Sequence, residues 1–488
     1  MIKHFNEEET EYILSKCKEF NDEYLSFDKI KEEKELYIQL HQETNDDQGL
    51  RVSFDVYTKE LLELIYDFSN NDRSFPLFSL RFDSHVLLSS QMALVKREVA
   101  QVVQLEDGET AIVNRPITEG IPVTSLYENI IKNKGNDAWL IASLCNLDDS
   151  NCTFKGELIS ECGRTEATEI GLNIHRYIGN ADQQSINGIV TNLKGSVPPL
   201  SKDVTSNGNG NNAAVSYDVY AYRVGNANTT LIGNDITDES LLVDCGIEKK
   251  TCFRKKYANA ENTITTFDPE YILISHNHLD HYNLFFKNIA VQSLALHAKN
   301  SSSLKRIIVP DDNSNNLSQN IIKKQIKSKI WLVNKTTPNY RDILKDVFPE
   351  LTIDFGICPN QAMSVEGKPE NFKNDTGIIV SIKNNKKILL PGDCSYDYIP
   401  TTVSFDDADY IVIPHHGGKV MRNNIVSMKS NCECIVSSGF NQLYGPTYKD
   451  YNANYDQGIF LLACGISNLK NQLKFIVNET EYYSITGI

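Results

Sequence analysis

Apolar and polar positions follow two rhythms along the first part of this chain. Over residues 7–25, Tyr12, Ile13, Cys17, Phe20 and Tyr24 recur at near-helical spacing behind Glu7-Glu8-Glu9. That predicts an amphipathic helix whose acidic first turn suits its positive end. Over 50–57, Val52, Phe54 and Val56 alternate with Ser53 and Asp55, the period of a half-buried strand. Residues 35–40 read as a strand, 59–68 as a helix, 124–132 as a helix and 138–144 as a strand. The apolar stretch 85–103 fits either strand or helix. The mixture predicts an α+β domain over residues 1–195, with no internal repeat. A stiff Val197-Pro198-Pro199-Leu200 and a loose Ser206-Asn207-Gly208-Asn209-Gly210-Asn211-Asn212 then predict a linker over 196–213.

From 214 to 488 the pattern changes. Strand-like runs at 215–224, 229–232, 241–243, 271–274, 306–310 and 329–333 are interleaved with helical spacing at 282–291, 319–327 and 340–348. Residues 374–382 and 386–393 read as a hairpin, and 408–413 and 435–441 add further strands. Strands alternating with helices predict a layered α/β domain.

The chemistry gathers where strands end. Tyr271-Ile272-Leu273-Ile274-Ser275 runs into His276-Asn277-His278-Leu279-Asp280-His281, which holds three of the chain's ten histidines. Residues two apart on an extended chain point to one side, so His276 and His278 can face one metal ion. A turn can swing Asp280 and His281 to an adjacent position. A hard carboxylate with neutral imidazoles is a zinc-type donor set.

This cluster resembles the His-x-His-x-Asp-His motif of the metallo-β-lactamase superfamily. Later motifs keep that family's order: Leu241-Leu242-Val243-Asp244-Cys245-Gly246, then Pro391-Gly392-Asp393, then Ile413-Pro414-His415-His416-Gly417-Gly418. Together with Asn374-Asp375-Thr376-Gly377 and Tyr444-Gly445-Pro446 they are similar to the subgroup typified by the C-terminal domain of the competence protein ComEC. The resemblance covers about residues 213–480. It implies an αββα sandwich, and one or two zinc ions, or manganese, held by His276, His278, Asp280, His281, Asp393 and His415. Asp393 is implied as the bridge between ions and Asp244 as the support of the histidine loop. Asp280 and His416 are implied as proton-handling catalytic residues, with His415 and His416 interchangeable. Two of the subgroup's histidines are absent. None follows Tyr444-Gly445, and between His281 and Asp393 only His297 is an imidazole, with Cys358 nearer the expected place.

The implied activity is metal-dependent hydrolysis, of phosphodiesters first (a nuclease or small-nucleotide phosphodiesterase). Amide, peptide, lactone or thioester hydrolysis is the alternative, with a bacterial anti-phage effector as one setting; a binding module with a decayed site is a third. The chain of 488 residues carries a net charge of −16. That balance disfavours a broad basic face for duplex nucleic acid and favours a small substrate, a short single strand or a protein partner, the last through the N-terminal domain. Arg254-Lys255-Lys256, Lys323-Lys324 and Lys386-Lys387 read as solvated faces. No apolar run is long enough to span a bilayer, and the acidic N-terminus lacks a signal-peptide core, so a cytoplasmic protein is expected. Its eleven scattered cysteines are then expected as reduced thiols.

Overall fold

The computed structural model describes residues 3–46, 49–71, 73–87, 92–104, 110–122, 139–149, 152–178, 180–195, 200, 215–225, 227–249, 254–297, 302–312, 316–364, 367, 369–403, 407–417, 420, 432–436, 473–475, 482–486 and 488. The chain divides into two units. One comprises Leu14–Val197 with Ser314–Gln325; the other comprises Met1–Ile13, Pro198–Asn313 and Ile326–Ile488.

Helix α1 (Glu7–Phe20) runs across the division at Leu14 and buries Ile13, Cys17 and Phe20. A wider turn, Asn21–Leu25, leads to α2 (Phe27–Glu32). Strands β1 (Leu36–Asp46) and β2 (Gly49–Tyr57) form an antiparallel pair, with Val52, Phe54 and Val56 buried as their alternation predicts. Helix α3 (Lys59–Asn70) follows, capped by Thr58, whose side chain accepts from the Leu61 amide. Then come β3 (Ser79–Leu87), β4 (Met92–Gln104), β5 (Thr110–Pro122), β6 (Trp139–Cys145), β7 (Phe154–Cys162), β8 (Arg164–Tyr177) and helix α4 (Asn180–Gly195). The described residues of the apolar stretch, 85–87 and 92–103, are strand, and the helix expected at 124–132 lies outside the described residues. Strand β8 pairs with β6 along one half and with β7 along the other, so the order β8-β6-β1-β2-β3-β7 closes on itself. Register shifts at Leu40/Gln42 and Ser84/Val86 add the curvature that closure requires.

In the second unit, β9 (Tyr217–Tyr222), β10 (Thr230–Asn234) and β11 (Ser240–Val243) form an antiparallel meander. Helix α5 (Ala258–Thr265) leads to β12 (Tyr271–Leu273), and α6 (Leu279–Tyr282) and α7 (Ile289–Ala295) lead to β13 (Arg306–Pro310). Helix α8 (Leu317–Gln325), part of the unit built on 14–197, precedes β14 (Ile330–Val333) in sequence. Strands β11 to β14 run parallel. The second sheet comprises β15 (Leu351–Phe355), β16 (Ile378–Lys383), β17 (Lys387–Leu390), β18 (Tyr410–Val412), β19 (Glu433–Val436) and β20 (Leu473–Phe475), with α9 (Pro369–Asn374) before β16. Strand β21 (Tyr482–Ile485) returns to β9 in the first sheet. One apolar core joins the two sheets, with Val219, Leu241, Leu273 and Ile308 from the first and Ile353, Val380, Leu390 and Val412 from the second. On the first sheet's other face Leu242, Ile272 and Ile307 are equally buried. The unit is a mixed α/β two-sheet sandwich covered on both faces.

Four expectations are corrected. Residues 340–348 form one tight turn, Tyr340–Asp342, and then isolated turn bonds, with a single i→i+4 bond from the Phe348 amide to the Leu344 carbonyl; Asn339 at φ 52° and Pro349 clip the segment below helical length. Residues 282–291 break at Asn288, which caps α7 by accepting from the Val291 amide. Lys323, Lys324 and Lys387 are buried, not solvated; Lys324 Nζ donates to the Phe68 and Ser69 carbonyls at the end of α3. Cys145 and Cys152 form a disulfide across the turn between β6 and β7, against the expected reduced thiols. Among the described residues no helix is long and apolar enough to cross a membrane.

Candidate metal centre

Every candidate ligand lies just past the carboxyl end of a parallel strand, where strand order places ligands in open α/β sheets. Strand β11 delivers Asp244, β12 the histidine loop, β17 Asp393 and β18 the His415-His416 pair.

Asp244 organises the loop. Its backbone is left-handed, φ 57°, and its carboxylate is aimed at the next strand end. Oδ1 accepts from the Ser275 amide at 2.7 Å, and Oδ2 accepts from Ser275 Oγ at 2.9 Å. His281 Nδ1 lies 2.8 Å from the same Oδ2. A proton on Nδ1 leaves Nε2 as the lone-pair atom, and it faces inward. The loop is also gripped by its backbone: the Cys245 amide donates to the His281 carbonyl at 2.7 Å. Gly246 passes so close that a Cβ there would sit 1.6 Å from the Asp280 carbonyl oxygen.

Six side chains then form two triads. His276, His278 and Asp393 are one; Asp280, His281 and His416 are the other, with donor atoms in each within 4.8 Å of one another. Asp393 touches both. Its Oδ2 lies 3.7 Å from His276 Nε2, while its Oδ1 lies 3.3 Å from His281 Nε2 and 3.6 Å from His416 Nε2. One oxygen for each triad is the geometry of a bridging carboxylate. Asn228 Nδ2 stands 3.5 Å from Asp393 Oδ1.

The structure sorts the adjacent histidines. His416 enters the second triad and is buried; His415 stands outside both, with 29% of its side chain exposed and Nε2 4.0 Å from Asp393 Oδ2. Both have left-handed backbones, φ 52° and 53°, each costing about 1–3 kcal/mol in a non-glycine residue. The turn holds that strain and sends two consecutive rings in different directions. His416 thus lies with Asp280 and His281, and His415 lies at the more exposed edge. His297 follows α7 with φ 50° and belongs to neither triad. Cys358 is buried, its Sγ directed to the Asn360 carbonyl, and is likewise outside both. The Tyr444-Gly445 region lies outside the described residues.

The residues fit divalent metal. Nε2 of His276, His278, His281 and His416 are buried without a hydrogen-bond partner. Buried nitrogens without partners are costly, and those of His276, His278 and His416 offer lone pairs that a metal ion would satisfy. Burial, reinforced by the neighbouring histidines, depresses His276 well below the ordinary value; burial with the Lys373 and Lys249 charges does the same to His278. Burial brings His416 to about 4. All three are neutral lone-pair donors at pH 7. Burial opposes charge on His281, but the Asp393 and Asp244 carboxylates outweigh it and raise its pKa well above the ordinary range. Burial likewise opposes ionisation of Asp280, but Lys249, His281 and His416 hold it near 2. Asp393 is held well below the usual range by His281, His416 and His415 against the same burial penalty.

Sequence reasoning missed Ser275, Asn228 and Lys249. Ser275 adjoins the motif but has no distinctive residue chemistry. Asn228 sits in what reads as an ordinary Gly-Asn turn. Lys249 Nζ lies 3.0 Å from Asp280 Oδ1, although nothing in its local sequence marks it.

No protein-family model and no curated protein matches the chain. Similar solved structures include the metallo-β-lactamase fold protein YhfI from Bacillus subtilis, at 13% identity over 56% of this chain and 100% of that one, TM-score 0.31. Human tRNase Z, short form, is 15% identical over 55% of this chain and 98% of its own, TM-score 0.26. A variant of the β-hydroxylase CmlA is 12% identical over 77% of this chain and 56% of its own, TM-score 0.23. At those scores the overlap carries no argument about this chain's chemistry; the donor geometry does.

Proposed function

We propose that this chain is a metal-dependent hydrolase of the metallo-β-lactamase type, acting on phosphodiesters. The observation that carries the hydrolase reading is Asp393, with one carboxylate oxygen toward each of two histidine-containing triads. The phosphodiester preference follows from the order of motifs, above all the paired histidine-glycine turn after β18.

His276 and His278 with Asp393 would hold one ion, and Asp280, His281 and His416 with Asp393 a second. Metal held there would supply a nucleophile near neutral pH and polarise the bond under attack. The chain's own residues do the rest. Asp244 fixes the His281 tautomer, so the ring presents Nε2 without reorganising. Asn228 can steady the bridging oxygen of Asp393. Asp280, ionised down to about pH 2, is unsuited to act as an acid near neutrality. With His416 committed to a triad, His415 at the open edge is the group placed to give or take a proton at the leaving oxygen.

The test is metal content by elemental mass spectrometry on wild type and Asp393→Ala, followed by hydrolysis of bis(4-nitrophenyl) phosphate, single-stranded oligonucleotides and cyclic dinucleotides. About two ions per chain are expected in the wild type and fewer than one in the variant, because the bridge serves both triads. Hydrolysis should fall by about a thousandfold or more. A wild type that binds no zinc or manganese after repletion defeats the proposal. One that binds metal yet cleaves none of these substrates defeats its phosphodiester part.

A further inference from the structure

We infer that Asp375 positions the carboxylate of Asp393 between the two triads, acting through the backbone of Ser395. The inference rests on the bridging role proposed for Asp393, but the contact it assigns can be read without metal or substrate.

The turn that carries Asp393 is fixed at both ends, by different means. Pro391 to Cys394 make a four-residue turn, closed by the Cys394 amide donating to the Pro391 carbonyl at 3.1 Å. Gly392 enters it with φ 58°, and its carbonyl accepts from the His415 amide at 3.3 Å. A Cβ at Gly392 would lie 2.8 Å from Ser275 Oγ, so the entry to Asp393 is pressed against the histidine loop. The exit is held by a side chain. Asp375 Oδ1 accepts from the Ser395 amide at 2.9 Å, across twenty residues of sequence, and both residues are buried. The Ser395 carbonyl then accepts from the Tyr398 amide at 2.9 Å as the chain turns away.

Asp375 is itself fixed by its backbone. Its amide donates to the Asn371 carbonyl at 3.0 Å, at the end of α9. Its carbonyl faces Gly356 so closely that a Cβ there would sit 2.2 Å from the oxygen. Two residues on, a Cβ at Gly377 would lie 3.2 Å from His276 Cβ. The next residue, Ile378, donates its amide to the Ser275 carbonyl at 2.7 Å. The segment 374–378 therefore grips the histidine loop by its backbone and the Asp393 turn by the Asp375 side chain. Those are the two sources of the first triad, His276 and His278 from one and Asp393 from the other. Asn374-Asp375-Thr376-Gly377 thus has a physical reason to stand ahead of β16.

The distances explain why such a hold matters. Asp393 Oδ2 lies 3.7 Å from His276 Nε2, and Oδ1 lies 3.3 Å from His281 Nε2. Rotating the carboxylate toward one triad takes an oxygen from the other. Its direction must therefore be kept within about 0.5 Å and 10–20° by groups that are themselves locked. A carboxylate accepting from a backbone amide makes a charge-assisted contact, stronger than a neutral pair. The buried Ser395 amide would be costly to leave without it. Asp244 steadies the histidine loop in the same way, through the Ser275 amide. One acid outside the triads thus holds each of the two elements that meet in the first triad.

The test uses full-length protein and pairs of variants that remove or keep the contact. Asp375→Ala removes the acceptor, and Asp375→Asn keeps an oxygen there. Ser395→Pro removes the amide hydrogen at a residue whose φ of −59° suits proline, and Ser395→Ala keeps it. In chelator, hydrogen exchange of the segment 391–398, read by mass spectrometry, should quicken about tenfold or more in Asp375→Ala and stay within about threefold of wild type in Asp375→Asn. With cobalt loaded in place of zinc, Asp375→Ala and Ser395→Pro should shift the visible absorption bands. Both should also weaken metal about 10- to 100-fold against a chromogenic chelator, whereas Asp375→Asn and Ser395→Ala should match wild type. Unchanged exchange and an unchanged cobalt spectrum in Asp375→Ala overturn the inference. So does an Asp375→Asn that behaves like Asp375→Ala, which would make the buried charge and not the acceptor the cause. If Asp375→Ala does not fold, the Ser395 pair decides, and equal spectra and affinities in Ser395→Pro and Ser395→Ala overturn the inference. A wild type that binds no metal or cleaves no phosphodiester, with exchange still governed by Asp375, removes the proposed function and leaves the anchor standing. Two bound ions and cleavage, with spectra and exchange independent of Asp375, do the reverse.

Discussion

Asp244 shows how one buried side chain governs a reactive centre without belonging to either triad. Its carboxylate fixes Ser275 and the His281 tautomer. Asp244→Asn keeps the volume but offers an N–H where His281 Nδ1 expects an acceptor. Metal affinity, measured by competition with a chromogenic chelator, should fall about 10- to 100-fold while far-UV circular dichroism is unchanged. His416 makes a different prediction, about pH. Its value of about 4 in the folded protein lies below the ordinary 6.5, so between those values the unfolded chain binds more protons. The stability linked to neutral His416 is complete above pH 6.5 and is lost as pH falls toward 4. In chelator, urea unfolding of wild type should lose about 2 kcal/mol more between pH 7 and pH 5 than that of His416→Asn. An equal loss in both proteins would refute it. At this scale the sequence was readable wherever spacing alone decides direction, as for His276 and His278. It was not readable for His415 and His416, whose directions depend on two left-handed residues that no side-chain pattern announces.

At the scale of elements, the site depends on strand ends meeting at van der Waals distance. Gly246, past β11, lies against the Asp280 carbonyl, and Gly392, past β17 with φ 58°, would place a Cβ 2.8 Å from Ser275 Oγ. Gly246→Ala should cost about 3 kcal/mol or more, because the obstructing atom is backbone and cannot rotate away. Gly233→Ala, whose Cβ would meet nothing nearer than 3.9 Å, should cost about 1 kcal/mol or less. Chemical denaturation of the two variants checks the contrast, and equal costs would show that the strand ends do not need this close approach. The same scale explains which elements the sequence revealed. Buried parallel strands such as β12, β13 and β18 are short apolar runs bounded by polar turns, and they read cleanly. The segment 340–348 has helical spacing because Ile343, Leu344 and Phe348 all face the inter-sheet core, but spacing does not register how abruptly Asn339 and Pro349 end it. Strands β7 and β8 went unread because their closure depends on pairings with β3 and β6 far away in sequence.

At the scale of the whole molecule, the order of the sequence and the order of the units differ. Helix α8 lies in sequence between β13 and β14 of the sandwich, yet belongs to the unit built on residues 14–197. Its start is held by a buried polar cluster. Asn316 Nδ2 donates to Asp55 Oδ2 at 2.8 Å, and Ser318 Oγ donates to the same oxygen at 3.1 Å. His41 Nδ1 lies 3.0 Å from Asp55 Oδ1, and the Leu317 amide donates to Gln39 Oε1 at 3.0 Å. Residues 317–325 are all buried there, Leu317, Ile321 and Ile322 among them. Composition marked 196–213 as a boundary, but no composition cue marks a nine-residue excursion whose partners lie about 250 residues earlier. The consequence is testable by truncation. A fragment of residues 214–488 keeps every candidate ligand but leaves α8 without Gln39, Asp55, Phe68 and Phe75 to cover and cap it. Its exposed apolar face should make the fragment aggregate. Replacing residues 314–325 with a short Gly-Ser segment should restore soluble protein with the metal content of the full chain, because none of the six triad residues lies in the excised stretch. A fragment that is soluble and metal-loaded without the replacement would show that the sandwich does not need α8 covered. A replacement that is soluble but binds no metal would show that the unit built on 14–197 supports the centre itself.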